Sequence, residues 1–101
     1  MKLPKSEIKT RLAGAPQWSA KAGALVRMLE FKSFPDVVAF VTRLGFDAEA
    51  NDHHPDLAIS YRKVTVTWST HSEGGITAKD FDAVKATDVL ATVFRAKNPK
   101  P

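Results

Sequence analysis

The residues of this chain that are best suited to chemistry are its three histidines. All of them lie in one segment, NDHHPDLAISYRKVTVTWSTH (residues 51–71), at positions His53, His54 and His71. An unperturbed imidazole has a pKa of about 6.5, so it can accept or release a proton at neutral pH. Two imidazoles on opposite sides of a small molecule could protonate a leaving hydroxyl and remove a proton elsewhere. Acid–base catalysis is therefore one of three roles that these residues suggest.

A metal site and a purely structural role are the other two. The three imidazoles and Asp80 form an acceptable zinc ligand set, but adjacent histidines usually diverge and no ligand pair is spaced four apart on a helix. We therefore expect no metal. In the structural role, His54 would cap the preceding helix and Asp80 would be only a capping residue. Glu49 would pair with His53, four residues later. Spacing alone does not decide between the structural and the catalytic role.

Length and composition indicate a single globular domain covering residues 1–101. Hydrophobic residues make up 44% of the chain and charged residues 26%, which is typical of a folded protein. There is no cysteine, which excludes disulfides and thiolate metal sites. The apolar stretches are too short to cross a bilayer, and the charged N-terminal segment lacks the apolar centre of a signal peptide. We therefore expect a cytoplasmic protein with no membrane partner.

The net charge of +4 raises the possibility of nucleic-acid binding, but the positions of the charges argue against it. Residues 12–94 contain 8 basic and 10 acidic residues, a net charge of −2, so the excess of basic residues lies at the two ends. We interpret these ends as solvated segments, including a flexible basic tail from about residue 96 to residue 101. We therefore expect no specific nucleic-acid partner.

The first half of the chain predicts two helices separated by two strands. Residues 4–13 are expected to form a short helix, and residues 17–22 and 24–32 two strands joined at Gly23. Ser33 can cap the next helix with Asp36 as its capping-box partner, and Pro55 places the end of that helix near residue 51. The apolar residues of this helix recur at spacings of three and four and are Phe34, Val37, Val38, Val41, Leu44 and Ala48.

The second half predicts a hairpin followed by a third helix. Alternation favours strands over residues 57–61 and 64–69 with a turn at residues 62–63, and His53 precedes them in a loop. By parity His71 would continue the polar threonine face, so we expect neither His53 nor His71 in the packed interior. The last helix begins at Thr77, with Asp80 as its capping-box partner. Its expected apolar stripe is Ala83, Ala86, Leu90, Val93 and Phe94. Phe81 and Val84 lie away from that stripe, and this second apolar side indicates a partner surface.

The predicted order is α-β-β-α-β-β-α, in which strands joined by hairpins must pair antiparallel. The sequence therefore predicts an α+β fold, a four-stranded antiparallel sheet with three helices on one face.

The histidine segment also resembles the signature of the pterin-4a-carbinolamine dehydratases. The matching positions are Glu49, the run His53-His54-Pro55, Tyr61, His71 and Asp80, with the family spacing kept throughout. Three further stretches are similar to the first helix, the second strand with the central helix, and the loop entering the last helix: EIKTRLAGAPQW, LEFKSFPDVVAFVTRL and STHSEGGITAKDFD. The resemblance extends over nearly the whole chain and implies the same fold as the order of elements.

The resemblance implies an enzyme, a 4a-hydroxytetrahydrobiopterin dehydratase. Such an enzyme removes water from 4a-hydroxytetrahydropterin to give quinonoid dihydropterin, which recycles the cofactor of aromatic amino acid hydroxylases. The pterin is the substrate, so no cofactor is implied. A homodimer that joins sheets edge to edge, or a homotetramer that packs helices together, is implied as the assembly. The alternative is a non-catalytic protein partner with this fold, either a transcriptional coactivator or an assembly factor.

The resemblance also implies roles for individual residues. His53 and His71 would be the acid–base pair, and His54 would bind and orient the pterin. Asp80 would hold an imidazole, and Glu49 would be an outer contact. The remaining positions expected to contact the pterin are Asp52, Pro55, Leu57, Ser69 and Thr70. Leu57 departs from relatives that carry a tryptophan there, which predicts weaker binding or a different side-chain preference.

Overall fold

A single four-stranded sheet with helices on one side carries the histidine segment. The structure is a computed structural model that describes residues 1–100. Its elements are α1 (Lys5–Leu12), β1 (Ser19–Lys21), β2 (Ala24–Glu30), α2 (Phe34–Ala50), β3 (Asp56–Ser60), β4 (Lys63–Trp68), a 3₁₀ turn (His71–Glu73) and α3 (Ala78–Val93). The predicted order of elements and the α+β class are confirmed. None of the helices in residues 1–100 is long and apolar enough to cross a membrane.

The sheet has the strand order β1-β2-β4-β3, and every neighbouring pair is antiparallel. Alternate side chains of β2 and β4 are buried under the helices, while the threonines of β4 lie on the opposite face. This alternation is the period of two that an antiparallel sheet requires when only one face is covered. The buried, helix-facing side chains of these two strands are Leu25, Arg27, Leu29, Val64, Val66 and Trp68.

The turn between β3 and β4 lies one residue earlier than the sequence predicted. Ile59 pairs with Val64 and Ser60 with Lys63, so the two turn residues are Tyr61 and Arg62. Register is set by the buried face, and this pairing keeps Ile59 on the same face as Val64. The predicted turn at residues 62–63 was therefore wrong, because Lys63 is already the first residue of β4.

Helix α2 begins and ends where the sequence indicated, but its buried face is narrower. The Ser33 hydroxyl accepts a hydrogen bond from the Asp36 N–H at 3.3 Å, which fixes the start of the helix. Phe34 and Val38, which the sequence placed on the apolar stripe, are both nearly half exposed. Of the predicted stripe Val37, Leu44 and Ala48 are buried, and Phe40, which the prediction omitted, is buried with them.

Helix α3 buries a different face from the one predicted. Its capping box is present. The Thr77 hydroxyl accepts from a backbone N–H of the first turn, and the Asp80 carboxylate accepts from the Thr77 backbone N–H. The predicted stripe was wrong for Ala86 and Val93, which are both exposed. The buried residues are Asp80, Phe81, Val84, Thr87, Leu90 and Ala91.

Thr87 explains why the buried face of α3 was predicted incorrectly. This fully buried threonine donates to the Ala83 carbonyl at 2.7 Å and accepts from the Trp68 indole N–H at 3.0 Å. Because its hydroxyl has both partners, a polar residue can occupy the centre of the buried face.

The segment after α3 is hydrogen-bonded to the sheet. Lys97 and Glu30 exchange two backbone hydrogen bonds of 2.8 Å, beside the end of β2. The buried Arg27 donates to Asn98 at 3.1 Å and forms an ion pair of 2.6 Å with Asp88. Lys97 and Asn98 belong to the segment expected to be a flexible tail, and the charge pattern had not indicated these contacts.

Candidate active site

The C-terminus of α2 ends in a Schellman turn that positions His53. The Asp52 N–H donates to the Glu49 carbonyl at 3.2 Å, and the His53 N–H donates to the Ala48 carbonyl at 3.1 Å. Asp52 itself has a φ of +48°, the left-handed conformation that this turn requires and that aspartate tolerates better than most residues. The chain therefore folds back at the end of α2 and places His53 beside the last buried turn of that helix.

The imidazole of His53 is held by two partners. Its Nε2 atom lies 2.7 Å from Oδ1 of Asp80, and its ring stacks on the Trp68 indole with a centroid distance of 5.1 Å. Only 13% of the side chain is exposed. The expectation that His53 lies outside the packed interior was therefore wrong. The residue follows a helix terminus, but the Schellman turn directs its side chain against Trp68 and Asp80.

Asp80 combines the two roles that the sequence left open. Its side chain is fully buried and belongs to the capping box of α3, and it also binds the imidazole of His53. Oδ2 accepts from the Thr70 hydroxyl and from the Thr77 backbone N–H, both at 2.9 Å, while Oδ1 accepts from His53. An ionised carboxylate can only accept hydrogen bonds, so we assign the proton of neutral His53 to Nε2.

A directed chain of hydrogen bonds supports this carboxylate. Lys79 N–H donates to the Thr77 hydroxyl oxygen at 3.2 Å, and the two threonine oxygens of residues 70 and 77 lie 2.8 Å apart. Because the Thr70 hydroxyl donates to Asp80, it must accept from Thr77, which orders every proton in the chain. The first turn of α3 and the end of β4 are thereby joined at the carboxylate.

His53 and Trp68 line a cavity of about 450 Å³ between α2 and α3. This volume lies within the range of small-molecule sites. Since Nε2 of His53 is bound to Asp80, Nδ1 is the nitrogen left for a ligand, and it has no hydrogen-bond partner within residues 1–100. The other residues lining the cavity are Leu44, Asp47, Ala48, Asn51, Lys79, Asp82, Ala83 and Ala86.

His54 and Glu49 form a separate pair at the protein surface. Their side chains are 55% and 82% exposed, and His54 Nε2 lies 2.8 Å from Glu49 Oε1. The predicted pairing of Glu49 with His53 was wrong, because α2 ends at Ala50 and the Schellman turn rotates His53 away from its own helix face. The predicted capping by His54 was also wrong, because the backbone N–H groups of Asp52 and His53 bind the last carbonyls of the helix.

His71 lies at the start of the 3₁₀ turn and is exposed. β4 ends at Trp68, so the strand does not extend to His71, but the residue is outside the core as expected. It follows Thr70, whose hydroxyl binds Asp80, and it therefore lies next to the polar cluster around that carboxylate. Within residues 1–100 no hydrogen bond or ring stacking joins His71 to His53, and His71 does not line the cavity.

None of the remaining predicted contacts lines the cavity. Asp52 is exposed, Pro55 and Ser69 are half-buried, Leu57 is half-buried on the helix-facing side of β3, and Thr70 is buried. Of the predicted site residues the structure thus brings together His53, Asp80 and Thr70.

Sequence reasoning missed the polar lining of the cavity. Asp47 on α2 and Asn51, the residue that caps the end of α2, are four apart, and Lys79 and Asp82 are three apart on α3. These spacings place each pair on one face of its helix, and that was the available signal. Trp68 was treated only as a strand residue, although its position after the alternating valines placed it on the face toward the helices.

Among residues 1–100 no group of three or more His, Cys, Asp or Glu side chains is arranged to hold a metal ion. The expectation of a metal-free site stays a prediction.

Comparison with known proteins identifies the family. The sequence profile of the family described as "Pterin 4 alpha carbinolamine dehydratase" matches residues 1–90. The chain belongs to this family. It is 45% identical over 89 residues to a protein of Picosynechococcus sp. named "Putative pterin-4-alpha-carbinolamine dehydratase", covering 88% of this chain and 97% of that one. A protein of the same name from Sulfolobus acidocaldarius is 45% identical over 85 residues, covering 84% and 93%.

Two solved structures share the fold of this dehydratase-family chain. A transcriptional coactivator/pterin dehydratase from Brucella melitensis superposes with a TM-score of 0.86 at 31% identity, covering 90% of this chain and 99% of that one. A pterin dehydratase-like protein identified as a RuBisCO assembly factor in the alpha-carboxysome has a TM-score of 0.61 at 20% identity, covering 73% and 86%. At that identity the second likeness concerns the fold alone.

Proposed function

We propose that this chain catalyses the dehydration of 4a-hydroxytetrahydropterin to quinonoid dihydropterin and water. The observation that carries the proposal is the imidazole of His53, fixed through Nε2 to buried Asp80 and placed in the wall of a cavity of about 450 Å³. Membership of the dehydratase family supports the pterin as the substrate. We further propose that the reaction recycles a tetrahydropterin for an aromatic amino acid hydroxylase.

The reaction requires one proton to be removed and one to be supplied. The C4a–O bond breaks, the hydroxyl takes up a proton and leaves as water, and N5 loses its proton as the N5–C4a double bond forms. His53 carries its own proton on Nε2, so its Nδ1 lone pair is suited to accept the proton from N5. The Asp80 carboxylate then stabilises the imidazolium that forms and keeps the ring in one orientation.

The second imidazole of the proposed pair is His71, which supplies the proton to the leaving hydroxyl. His71 directly follows Thr70, whose hydroxyl binds the same carboxylate as His53, and this supports the assignment. His54, paired with Glu49 at the surface, contributes to pterin binding rather than to proton transfer. Stacking of Trp68 on His53 fixes the plane of the imidazole that the substrate meets.

Protein binding is the second candidate function, and one observation favours it. Large apolar side chains of α2 and α3 are exposed, with Phe46, Val89 and Val93 between 67% and 72% exposed. Such a surface is typical of a protein–protein contact. We propose that it mediates homo-oligomer formation, because a second copy of the chain presents the same apolar residues.

A direct assay distinguishes the two functions. The synthetic 4a-hydroxytetrahydropterin is mixed with the purified chain, and formation of the quinonoid product is followed against the spontaneous reaction. A catalyst accelerates the reaction in proportion to protein concentration and shows saturation with substrate. A rate equal to the spontaneous one, with folded protein, would leave protein binding as the function of this fold.

A further inference from the structure

A second concave surface lies at the far end of α3 from the candidate active site. This surface, here called the basic cleft, has a volume of about 470 Å³. Lys79, at the start of α3, lines the candidate active site, and Arg95, just after the end of α3, lines the basic cleft. The basic side chains that line the cleft are Lys32, Arg62, Lys63, Arg95, Lys97 and Lys100.

Three separate chain segments bring these charges together. They are the end of β2, the turn between β3 and β4, and the segment after α3. The Phe31 N–H donates to the Arg62 carbonyl at 2.8 Å, and Glu30 exchanges two backbone hydrogen bonds with Lys97. Because the contacts are non-local, the cleft could not be read from the positions of the basic residues in the sequence.

The basic side chains of the cleft form no ion pair with any residue of the described range 1–100. Within residues 1–100 none of its six basic side chains lies within 4 Å of a carboxylate, and Glu30 is the one acidic residue lining it. The Arg62 guanidinium lies over the Tyr61 ring at 5.2 Å from its centroid, which orients the group and leaves most of its donors free. Like charges held in one cleft create a potential that attracts an anion.

The backbone position of Arg95 adds to this observation. Helix α3 ends in a Schellman turn, in which Arg95 N–H donates to Thr92 O at 3.0 Å and Ala96 N–H donates to Ala91 O at 2.9 Å. Arg95 has a φ of +57°, in the position where glycine is the favoured residue. A long basic side chain thus occupies a position that is unfavourable for it and extends into the cleft lining.

We propose that the basic cleft binds a compact anion that carries two or more phosphate groups. The lining has a net charge of +5, from six basic side chains and one carboxylate, within a volume typical of small-molecule sites. Phosphate groups supply several negative charges in that space, and the two guanidinium groups can bind them with paired N–H donors. The phosphates could belong to a free nucleotide or polyphosphate, or to a nucleic-acid backbone.

The test measures binding of tripolyphosphate to the full chain by isothermal titration calorimetry at about 50 mM salt. The variant Lys63→Gln/Lys97→Gln removes two charges from the cleft. The control Lys5→Gln/Lys9→Gln removes two charges from exposed positions of α1 and leaves the same net charge. A Coulomb contact at about 4 Å in water changes affinity about fivefold, so we expect about 25-fold weaker binding for the cleft variant and less than about threefold for the control.

A second variant excludes loss of folding as the cause. Arg95→Gly suits the left-handed backbone, so its thermal midpoint should not fall, yet binding should weaken about fivefold. ATP and a single-stranded oligothymidylate are titrated in parallel, and the tighter of the two identifies the source of the phosphates. The proposal is overturned if tripolyphosphate does not bind, if the cleft and α1 variants weaken binding equally, or if poly-glutamate binds as tightly as tripolyphosphate.

Discussion

Replacing Asp80 with asparagine should reverse the tautomer of the catalytic imidazole while keeping the shape of the helix cap. The carboxylate accepts three hydrogen bonds, at 2.7 Å from His53 and at 2.9 Å from each of Thr70 and Thr77. Asparagine has the same shape but only one acceptor oxygen. If that oxygen keeps the two threonine bonds, the amide NH₂ faces His53, whose Nε2 must then accept.

The proton of His53 would then move to Nδ1, which is the nitrogen needed to accept the substrate proton. We therefore expect the turnover number of Asp80→Asn to fall by about 10²- to 10⁴-fold, the usual contribution of a positioned base. The Michaelis constant should change less than about threefold, because no group proposed to bind the pterin is removed. Initial rates of quinonoid product formation over a range of substrate concentrations separate the two constants.

Thr70→Val is the matched control for this prediction. It removes a donor to the same carboxylate, so the free energy of unfolding should fall by about 1–3 kcal/mol, but it leaves the bond from Asp80 to His53. Its turnover number should therefore stay within about tenfold of the wild type. A folded Asp80→Asn protein with the wild-type rate would refute the proposed role of the carboxylate. An equal loss in both variants would show that general disruption of the cluster is responsible.

Three further predictions concern binding, the C-terminal segment and assembly. His54→Ala should raise the Michaelis constant at least as much as it lowers turnover, because the proposed role of His54 is pterin binding and not proton transfer. Steady-state kinetics test this, and a pure loss of turnover would contradict it. Deletion of residues 97–101 removes two backbone hydrogen bonds and the Arg27–Asn98 bond, so the melting temperature should fall by about 10 °C or more. Deletion of residues 99–101, the control, removes none of these bonds and should leave the melting temperature nearly unchanged. Light scattering at micromolar concentration should give two or four times the chain mass of 11.1 kDa, because the apolar surface of α2 and α3 is exposed in the single chain; a monomer would contradict this.

The parts of the structure that depend on local signals were predictable. Ser33 and Pro55 bracket α2, and the capping box of Thr77 and Asp80 starts α3 where the sequence indicated. Alternation of valine and threonine gave β4 and its buried face. These signals are local because they depend on backbone geometry within one or two turns of helix or on the period of a single strand.

The geometry of the site depends on contacts that such signals do not contain. The sequence spacing suggested that Glu49 pairs with His53. Because Asp52 is left-handed, the chain turns there, and Glu49 binds His54 while Asp80 binds His53. The position of Trp68 under His53 results from packing between β4 and the turn after α2. The family resemblance did imply that Asp80 holds an imidazole, and the structure places His53 in that position.

The most direct test of the proposed mechanism is the dehydration rate of His53→Ala compared with the wild type. The rate of the spontaneous reaction is subtracted from each measured rate, and a thermal melt of each protein shows whether it is folded. We expect a folded protein whose turnover number is lower by about 10²- to 10⁴-fold, and His71→Ala should lose a similar factor if it supplies the second proton. A folded His53→Ala protein that dehydrates 4a-hydroxytetrahydropterin at the wild-type rate would contradict the assignment of His53 as the catalytic base.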